Sequence, residues 1–379
     1  MIFNHLSRID HMYVNEICYP KKVNMVAGYV EFFRSHLHFA FHMNNVLPKK
    51  QYISDIAGTK AIMSIIKKGG SVSFAPEGLA SNDGMNKPIV PQTGSLLKKL
   101  GVPVYFVQLR GQYLQNNKTC LDERYGETYA KISLFLTPDD LKTLTTEQID
   151  TKINQAFRHD EYAWQKEKRI KWETHGRICH RLEDILYRCP RCGAEFETEG
   201  VGDKITCHRC GNGATMDDYY EFHPFDESCV IPESPSAWVN DERVQVIREI
   251  RADENYVFTE KISLGKIPDG RWLKHKKTSE IVANGTMTID HNGVHFRGED
   301  TNLHDFDVPY TEIYSTVTEV DASNFSFYYR GEYHEIHPER HSFMKAHLLI
   351  EEMHRLHVNV YKNFPWNDYM YEPQEKKEN

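Results

Sequence analysis

The sequence predicts an α/β domain, a mixed sheet flanked by helices, followed by a small cysteine module and then a mostly β domain closed by a C-terminal helix. Three observations carry this. Helix-type and strand-type apolar runs alternate through the first third, two Cys-x-x-Cys-Gly knuckles begin at 189 and 207, and strand-type runs dominate beyond Trp238 until an amphipathic segment at 342–357.

The α/β unit is read over residues 1–138. Ser54 to Lys68 carries Ile56, Ile62, Met63 and Ile66 near helical period and stops at Gly69-Gly70, a C-cap signal. Ser71 to Phe74 reads as a short strand, Gly94 to Leu100 as a short helix, and Val102 to Val107 as a strand apolar enough to be buried in a sheet. Residues 139–229 open with a helix signalled by Thr145 and Gln148 in capping-box spacing, with Ile149, Ile153, Ala156 and Phe157 on one face, and end in the cysteine module at about 185–222. Residues 230–362 begin with a helix marked by Val244, Ile247 and Ile250. A hairpin follows, with Met287 and Ile289 facing Val294 and Phe296 across the Asn292-Gly293 turn. Phe343, Ala346, Ile350, Met353 and Leu356 mark the terminal amphipathic helix, and residues 363–379 form a polar tail.

Composition bounds the function classes. With 379 residues, 40% hydrophobic and 26% charged, the chain holds enough apolar material for two or three cores, which excludes disorder. A bilayer span needs about 20 apolar residues. The longest apolar stretch, Met25 to Met43, is interrupted by Glu31, Arg34, His36 and His38, so no span is expected; it suits a membrane interface, an acyl groove or a core helix. The net charge of -8 is uneven: residues 1–138 hold 16 Lys and Arg against 9 Asp and Glu, and the remainder holds 30 against 45. The basic third suits anionic partners. Met1-Ile2-Phe3 opens no export-type signal, and Cys18, Cys120, Cys179 and Cys229 suggest no disulfide framework. A reducing, cytoplasmic setting is expected.

Cys189, Cys192, Cys207 and Cys210 present four thiolates at the spacing of a zinc ribbon, and the glycine after each pair permits the tight turn that aims amides at sulfur. Four soft ligands select zinc and leave it no open position, so a structural Zn2+ is expected. Glu195, Glu197, Glu199, Asp203, Asp217 and Asp218 surround the module with negative charge, which argues against nucleic acid.

The basic third carries the chemistry-bearing pattern. Asn4-His5-Leu6-Ser7-Arg8-Ile9-Asp10 sets His5 and Asp10 in H-x-x-x-x-D spacing, in which a carboxylate can hold one imidazole nitrogen while the other takes a proton. Further along stand Ala75-Pro76-Glu77-Gly78-Leu79-Ala80-Ser81 and Gly101-Val102-Pro103-Val104. In order and separation these blocks resemble the glycerolipid (PlsC-like) acyltransferase family, whose blocks read N-H-x-S-x-x-D, F-P-E-G-T-R-S and V-P-V. The resemblance covers roughly residues 3–135. The trailing ribbon and β-rich tail resemble a bacterial subgroup of such proteins, and the sheet sealed by one helix resembles a PH-like or GRAM-type domain.

The resemblance implies that His5 is a general base oriented by Asp10, and that a hydroxyl so activated attacks a fatty-acyl thioester of CoA or acyl carrier protein. It assigns acceptor binding to Asn4, Ser7, Glu77, Gly78 and Ser81, with Lys49 standing where the family carries an arginine. A lysophospholipid acceptor, of the 1-acylglycerol-3-phosphate type, and peripheral membrane association follow from the same resemblance. Leu79-Ala80 replaces the family's Thr-Arg, and no counterpart of the family's N-terminal segment precedes Asn4. The rival reading is a non-catalytic lipid- or protein-binding adaptor on an eroded acyltransferase fold. Lys166, Lys168, Arg169 and Lys171 read as a solvated helix face, and His334, His337, His341, His347, His354 and His357 as surface residues.

Overall fold

The computed structural model describes residues 1–119, 122, 124–267, 278–319 and 323–361; the polar tail, 363–379, and Cys120 lie outside the described residues. The first region runs β1 (Ile2–Phe3), α1 (Asp10–Cys18), β2 (Asn24–Gly28), a 3-10 turn (Tyr29–Phe33), α2 (Ser35–Met43), β3 (Leu47–Lys49), α3 (Ile56–Lys67) and β4 (Val72–Ser73). It continues with α4 (Thr93–Leu100), β5 (Val104–Arg110), α5 (Gln112–Gln115), β6 (Tyr129–Leu136), α6 (Pro138–Thr143), α7 (Thr146–Phe157) and α8 (Glu161–Lys168).

Strands β3, β2 and β4 pair in parallel, as do β1 and β5, while β6 closes the edge antiparallel to β5. A parallel bridge between Ile2 and Phe74 joins the two sets, giving the order β3-β2-β4-β1-β5-β6. The first five strands therefore end on one common edge. Local sequence explains the flanking helices. Asp55 caps α3 by accepting the Gly58 N–H, and the chain leaves at Gly69, whose φ of +78° is open to glycine at little cost. The expected capping box at Thr145 and Gln148 is present, and α7 lays Ile149, Ile153 and Phe157 against Ile2, Leu97 and Phe106. Phe106 and Phe157 stack at 4.7 Å.

The cysteine module comprises β7 (Thr198–Val201), β8 (Lys204–Cys207), β9 (Gly213–Met216) and β10 (Phe222–Pro224), an antiparallel meander. The third region has α9 (Pro235–Ala252), β11 (Val257–Lys266), β12 (Glu280–Asp290), β13 (Gly293–Gly298), β14 (Phe306–Val308), β15 (Val317–Thr318), β16 (Phe325–Tyr329), β17 (Glu332–Pro338) and α10 (Phe343–His357). Its sheet is antiparallel in the order β14-β13-β12-β11-β17-β16-β15; the expected hairpin is present, pairing Met287 with Phe296 and Ile289 with Val294, but its two-residue turn is His291-Asn292 and Gly293 already pairs with Asp290. The three regions are not separate beads. One contiguous hydrophobic cluster runs from Phe3 and Leu109 through Leu186 and Trp238 to Phe296 and Leu349.

Two expectations are corrected. The histidines of the C-terminal region are not all surface residues: His334, His347 and His354 are buried. For His347 and His354 the reason is that α10 is covered on more than one side, by the sheet, by α9 and by the first region, so its polar face also leaves water; His334 lies on β17, where it stacks on Phe327 and meets Phe306 edge-on. The stretch Met25 to Met43 is neither one helix nor a core helix: it divides into β2, the 3-10 turn and α2, and no residue of α2 is buried.

Candidate active site

Loops leaving the carboxyl ends of the parallel strands build the site, the usual place for chemistry in an open α/β sheet. His5 follows β1 directly. Its Nδ1 lies 2.9 Å from Asp10 Oδ2, and its side chain is 27% exposed while that of Asp10 is fully buried. Asp10 opens α1, where the helix dipole favours negative charge. Besides the imidazole, this carboxylate accepts the Leu6 N–H at 2.7 Å, the Ser7 N–H at 3.0 Å and the Ser7 hydroxyl at 2.9 Å. A carboxylate so fully donated to is held in one orientation, and as an acceptor it fixes Nδ1 as the N–H donor. Nε2 is then the basic nitrogen, and among the described residues it has no hydrogen-bond partner.

The backbone around His5 is pinned on two sides. Its N–H donates to Glu77 Oε2 at 2.7 Å, and its carbonyl accepts the Ser81 N–H at 2.9 Å. The blocks around residues 5 and 77 thus form one unit. Burial pushes the Glu77 carboxyl well above the usual range, against the opposing pull of the His5 N–H and of Lys87. Gly78 has φ of +75°, and a Cβ there would come within 3.2 Å of Val90 and 3.3 Å of Tyr52. Ser81 is buried; its hydroxyl meets the Met85 carbonyl at 2.7 Å and accepts the Gly84 N–H at 2.9 Å. Asn4, also buried, docks its side-chain amide on β5, donating to the Leu109 carbonyl at 3.0 Å and accepting the Leu109 N–H at 2.8 Å.

The structure therefore brings Asn4, His5, Ser7, Asp10, Glu77, Gly78 and Ser81 together. The hydrogen bonds that Asn4, Ser7, Glu77 and Ser81 make are internal to this unit and shape the loops around His5. Lys49 ends β3 at the same sheet edge but three strands from β1, about 14 Å away at ordinary strand spacing. Its Nζ contacts the Lys50 carbonyl at 3.4 Å, and partial burial lowers its pKa against the opposing pull of Asp55. Leu79 and Ala80, which stand where the resembled motif has Thr-Arg, are buried.

Several residues here were not legible in the sequence. Tyr52 donates its hydroxyl to the Glu77 carbonyl and packs edge-on against Tyr314 of the third region. Buried Lys87 reaches His347 of α10 at 2.8 Å. The segment 157–164 braces the loop after Glu77: Asn86 and His159 exchange hydrogen bonds, and Glu161 accepts the N–H groups of Gly111 and Tyr113. The capping pattern of Asp160 places α8, but nothing in a single sequence marks long-range partners of this kind.

The four cysteines converge as expected. Their sulfur atoms all lie within 4.8 Å of one another, with Cys189 to Cys210 at 3.7 Å and Cys192 to Cys207 at 3.8 Å. A tetrahedron with Zn–S bonds of about 2.3 Å has S···S edges of about 3.8 Å, so the cluster fits a metal ion such as zinc. The two knuckles repeat one geometry: Gly193 donates to the Cys189 carbonyl and Gly211 to that of Cys207, at φ of +70° and +74°. Backbone N–H groups of Arg191 and Cys192 point at the Cys189 sulfur, and those of Arg209 and Cys210 at that of Cys207.

No protein-family model matches the sequence, and no curated protein matches it. A solved structure it resembles is the 1-acyl-sn-glycerophosphate (LPA) acyltransferase PlsC from Thermotoga maritima, at 18% identity and a TM-score of 0.36, over 44% of this chain and 65% of that chain. The likeness is distant. It spans just under two thirds of the PlsC chain, and no residue role is transferred from it. Among the described residues, no helix is long and apolar enough to cross a membrane.

Proposed function

We propose that this protein is an O-acyltransferase that moves a fatty acyl group from an acyl thioester, of CoA or acyl carrier protein, to the hydroxyl of a lysophospholipid-type acceptor at a membrane surface. The observation that carries this reading is the His5–Asp10 pair, with Nδ1 at 2.9 Å from a buried carboxylate and the ring partly exposed at the carboxyl edge of the sheet. In the reaction, Nε2 of His5 takes the acceptor hydroxyl proton as the oxygen attacks the thioester carbonyl. The C–O bond forms, the C–S bond breaks, and the imidazolium returns its proton to the departing thiolate. Asp10 holds the ring and stabilises the imidazolium, as carboxylates do beside catalytic histidines. Glu77, Asn4, Ser7 and Ser81 position the histidine loop, Gly78 admits the turn beside it, and Lys49 attracts an acidic headgroup further along the edge. The metal held by the four cysteines has a structural role, and the seven-stranded sheet with α10 is read as a PH-like unit.

One observation keeps the adaptor reading beside this one. The third region is docked on the same sheet edge, through Tyr314 on Tyr52 and α10 on Lys87, which suits a scaffold as well as a covered enzyme. The experiment that separates the two is acyl transfer from a labelled thioester by the full chain and by His5→Ala. Transfer that depends on His5 establishes the enzyme; equal, negligible transfer by both, with lysophospholipid bound, establishes the adaptor.

A further inference from the structure

We propose that α2 is the element that seats the protein on a bilayer of anionic lipids. The inference deepens the acyltransferase reading, on which it rests for the source of the acceptor.

None of the nine residues of α2 is buried. Phe39 and Met43, one helical turn apart on one face, are 72% and 70% exposed. The helix is not held by its other face alone: there Phe41 meets Phe32 edge-on at 4.9 Å. A short helix with apolar groups on both sides has no reason to project into water unless one side meets something apolar.

Charge and place select a bilayer. Between Glu31 and Asp55 the chain carries no acidic residue, while it holds Arg34, Lys49, Lys50 and three histidines. At the C-terminal end of α2, Asn45 donates to Asn24 Oδ1 at 2.8 Å, which brings Met43 beside the segment just before β2. There Tyr19 is 84% exposed and Lys21 and Lys22 are exposed. An apolar pair, an aromatic ring and two lysines with long stems are the groups that settle at an anionic headgroup boundary. The root of the helix is fixed: Arg34 pairs with Glu319 at 3.2 Å, and Val30 packs on Tyr328 and Tyr333. α2 leaves the carboxyl end of β2 and, because β2 and β3 are parallel, returns the chain to the amino end of β3, so the helix root lies on the His5 edge and Met43, Tyr19, Lys21 and Lys22 lie toward the opposite edge.

The test is flotation of the full chain with vesicles of phosphatidylcholine alone and of phosphatidylcholine with phosphatidylglycerol, at low and high salt. The protein should float with the anionic vesicles, less so in high salt. Phe39→Glu/Met43→Glu should cut partitioning on the order of tenfold or more, and Lys21→Ser/Lys22→Ser by roughly fivefold at low salt. Because Phe39, Met43, Lys21 and Lys22 are all exposed, both variants should retain the wild-type melting temperature. Amide exchange on the wild-type chain supplies the control that needs no variant: residues 35–43 should gain protection when anionic vesicles are added. Transfer to a water-soluble short-chain acceptor reads the chemistry separately and should survive both double variants. Wild-type protein that ignores anionic vesicles, a Phe39/Met43 double variant that binds as wild type does, or residues 35–43 that gain no protection would overturn the proposal. The first outcome would give the face to a protein partner instead.

Discussion

Nζ of Lys87 lies 2.8 Å from Nε2 of His347, tying the loop beyond Glu77 to the C-terminal helix across 260 positions of chain. The other ring nitrogen meets Thr316 Oγ1 at 2.7 Å, and Glu351 lies 3.2 Å from the imidazole and 3.6 Å from Lys87. Arg243 pairs with the same Glu351 at 2.8 Å. Lys87 and Arg243 already outnumber the Glu351 carboxylate in this buried group, so a proton on His347 would add to an excess of positive charge.

Acid should therefore loosen the contact. Burial and the neighbouring Lys87 push the His347 pKa down to about 4, against the opposing pull of Glu351. An unfolded histidine near 6.5 binds a proton first, so the stability this group contributes is full above pH 6.5 and lost as pH falls toward 4. Glu31 and Glu335 oppose it: burial pushes each up to about 7, so their ionisation costs stability as pH rises through that value. The comparison that isolates the histidine is wild type against His347→Gln. The wild-type advantage in melting temperature should shrink as pH falls from 7 to 5, and an advantage that stays constant would contradict it.

Asn4 should matter through packing. Replacing it with Ala leaves the buried Leu109 N–H without its acceptor and the Leu109 carbonyl with Arg110 Nη1 as its donor, and the expected cost is about 1–3 kcal/mol in denaturant unfolding. Asn4→Asp should be no milder, since a carboxylate can accept but cannot donate to the carbonyl.

Glu77 gives a cleaner split. Glu77→Gln keeps an acceptor for the His5 N–H and should fold and bind thioester like wild type, because burial already disfavours the carboxylate charge. Glu77→Ala removes the acceptor and should lower the melting temperature and kcat together. Equal behaviour of the two variants in calorimetry would remove Glu77 from its positioning role.

For the cysteine cluster, elemental analysis should find about one zinc per chain under reducing conditions, lost in Cys189→Ser/Cys192→Ser. Chelation should raise amide exchange over residues 185–222 first. The tie to the rest is firm, since Trp238 donates to the Arg188 carbonyl at 2.8 Å and Lys345 reaches Glu195 at 2.7 Å. Some loosening of α9 and α10 should follow.

Much of this fold was legible because its signals are local. The Thr145 capping box, the Gly69 stop, the hairpin of β12 and β13 and the two cysteine knuckles each depend on residues a few positions apart, and each is present, with the hairpin turn one residue earlier than Asn292-Gly293. The pairing of His5 with Asp10 is local in the same sense. What the sequence did not disclose depends on distance. His347 and His354 look like surface residues until the first region and the sheet are packed on α10. The bond from His5 to Glu77 spans 72 positions, and nothing in either segment alone announces that a carboxylate at 77 will receive that N–H.

The most direct test of the central claim is acyl transfer from a radiolabelled acyl thioester to a lysophospholipid by the full chain, its His5→Ala variant and its Asp10→Asn variant. If Nε2 of His5 is the base, His5→Ala should lose about two to four orders of magnitude in kcat while keeping the wild-type melting temperature. Asp10→Asn should retain a trace of turnover with the imidazole free to adopt the other tautomer. Wild-type turnover that is measurable and unchanged in His5→Ala would contradict the account, since no other group at that edge is assigned to take the proton.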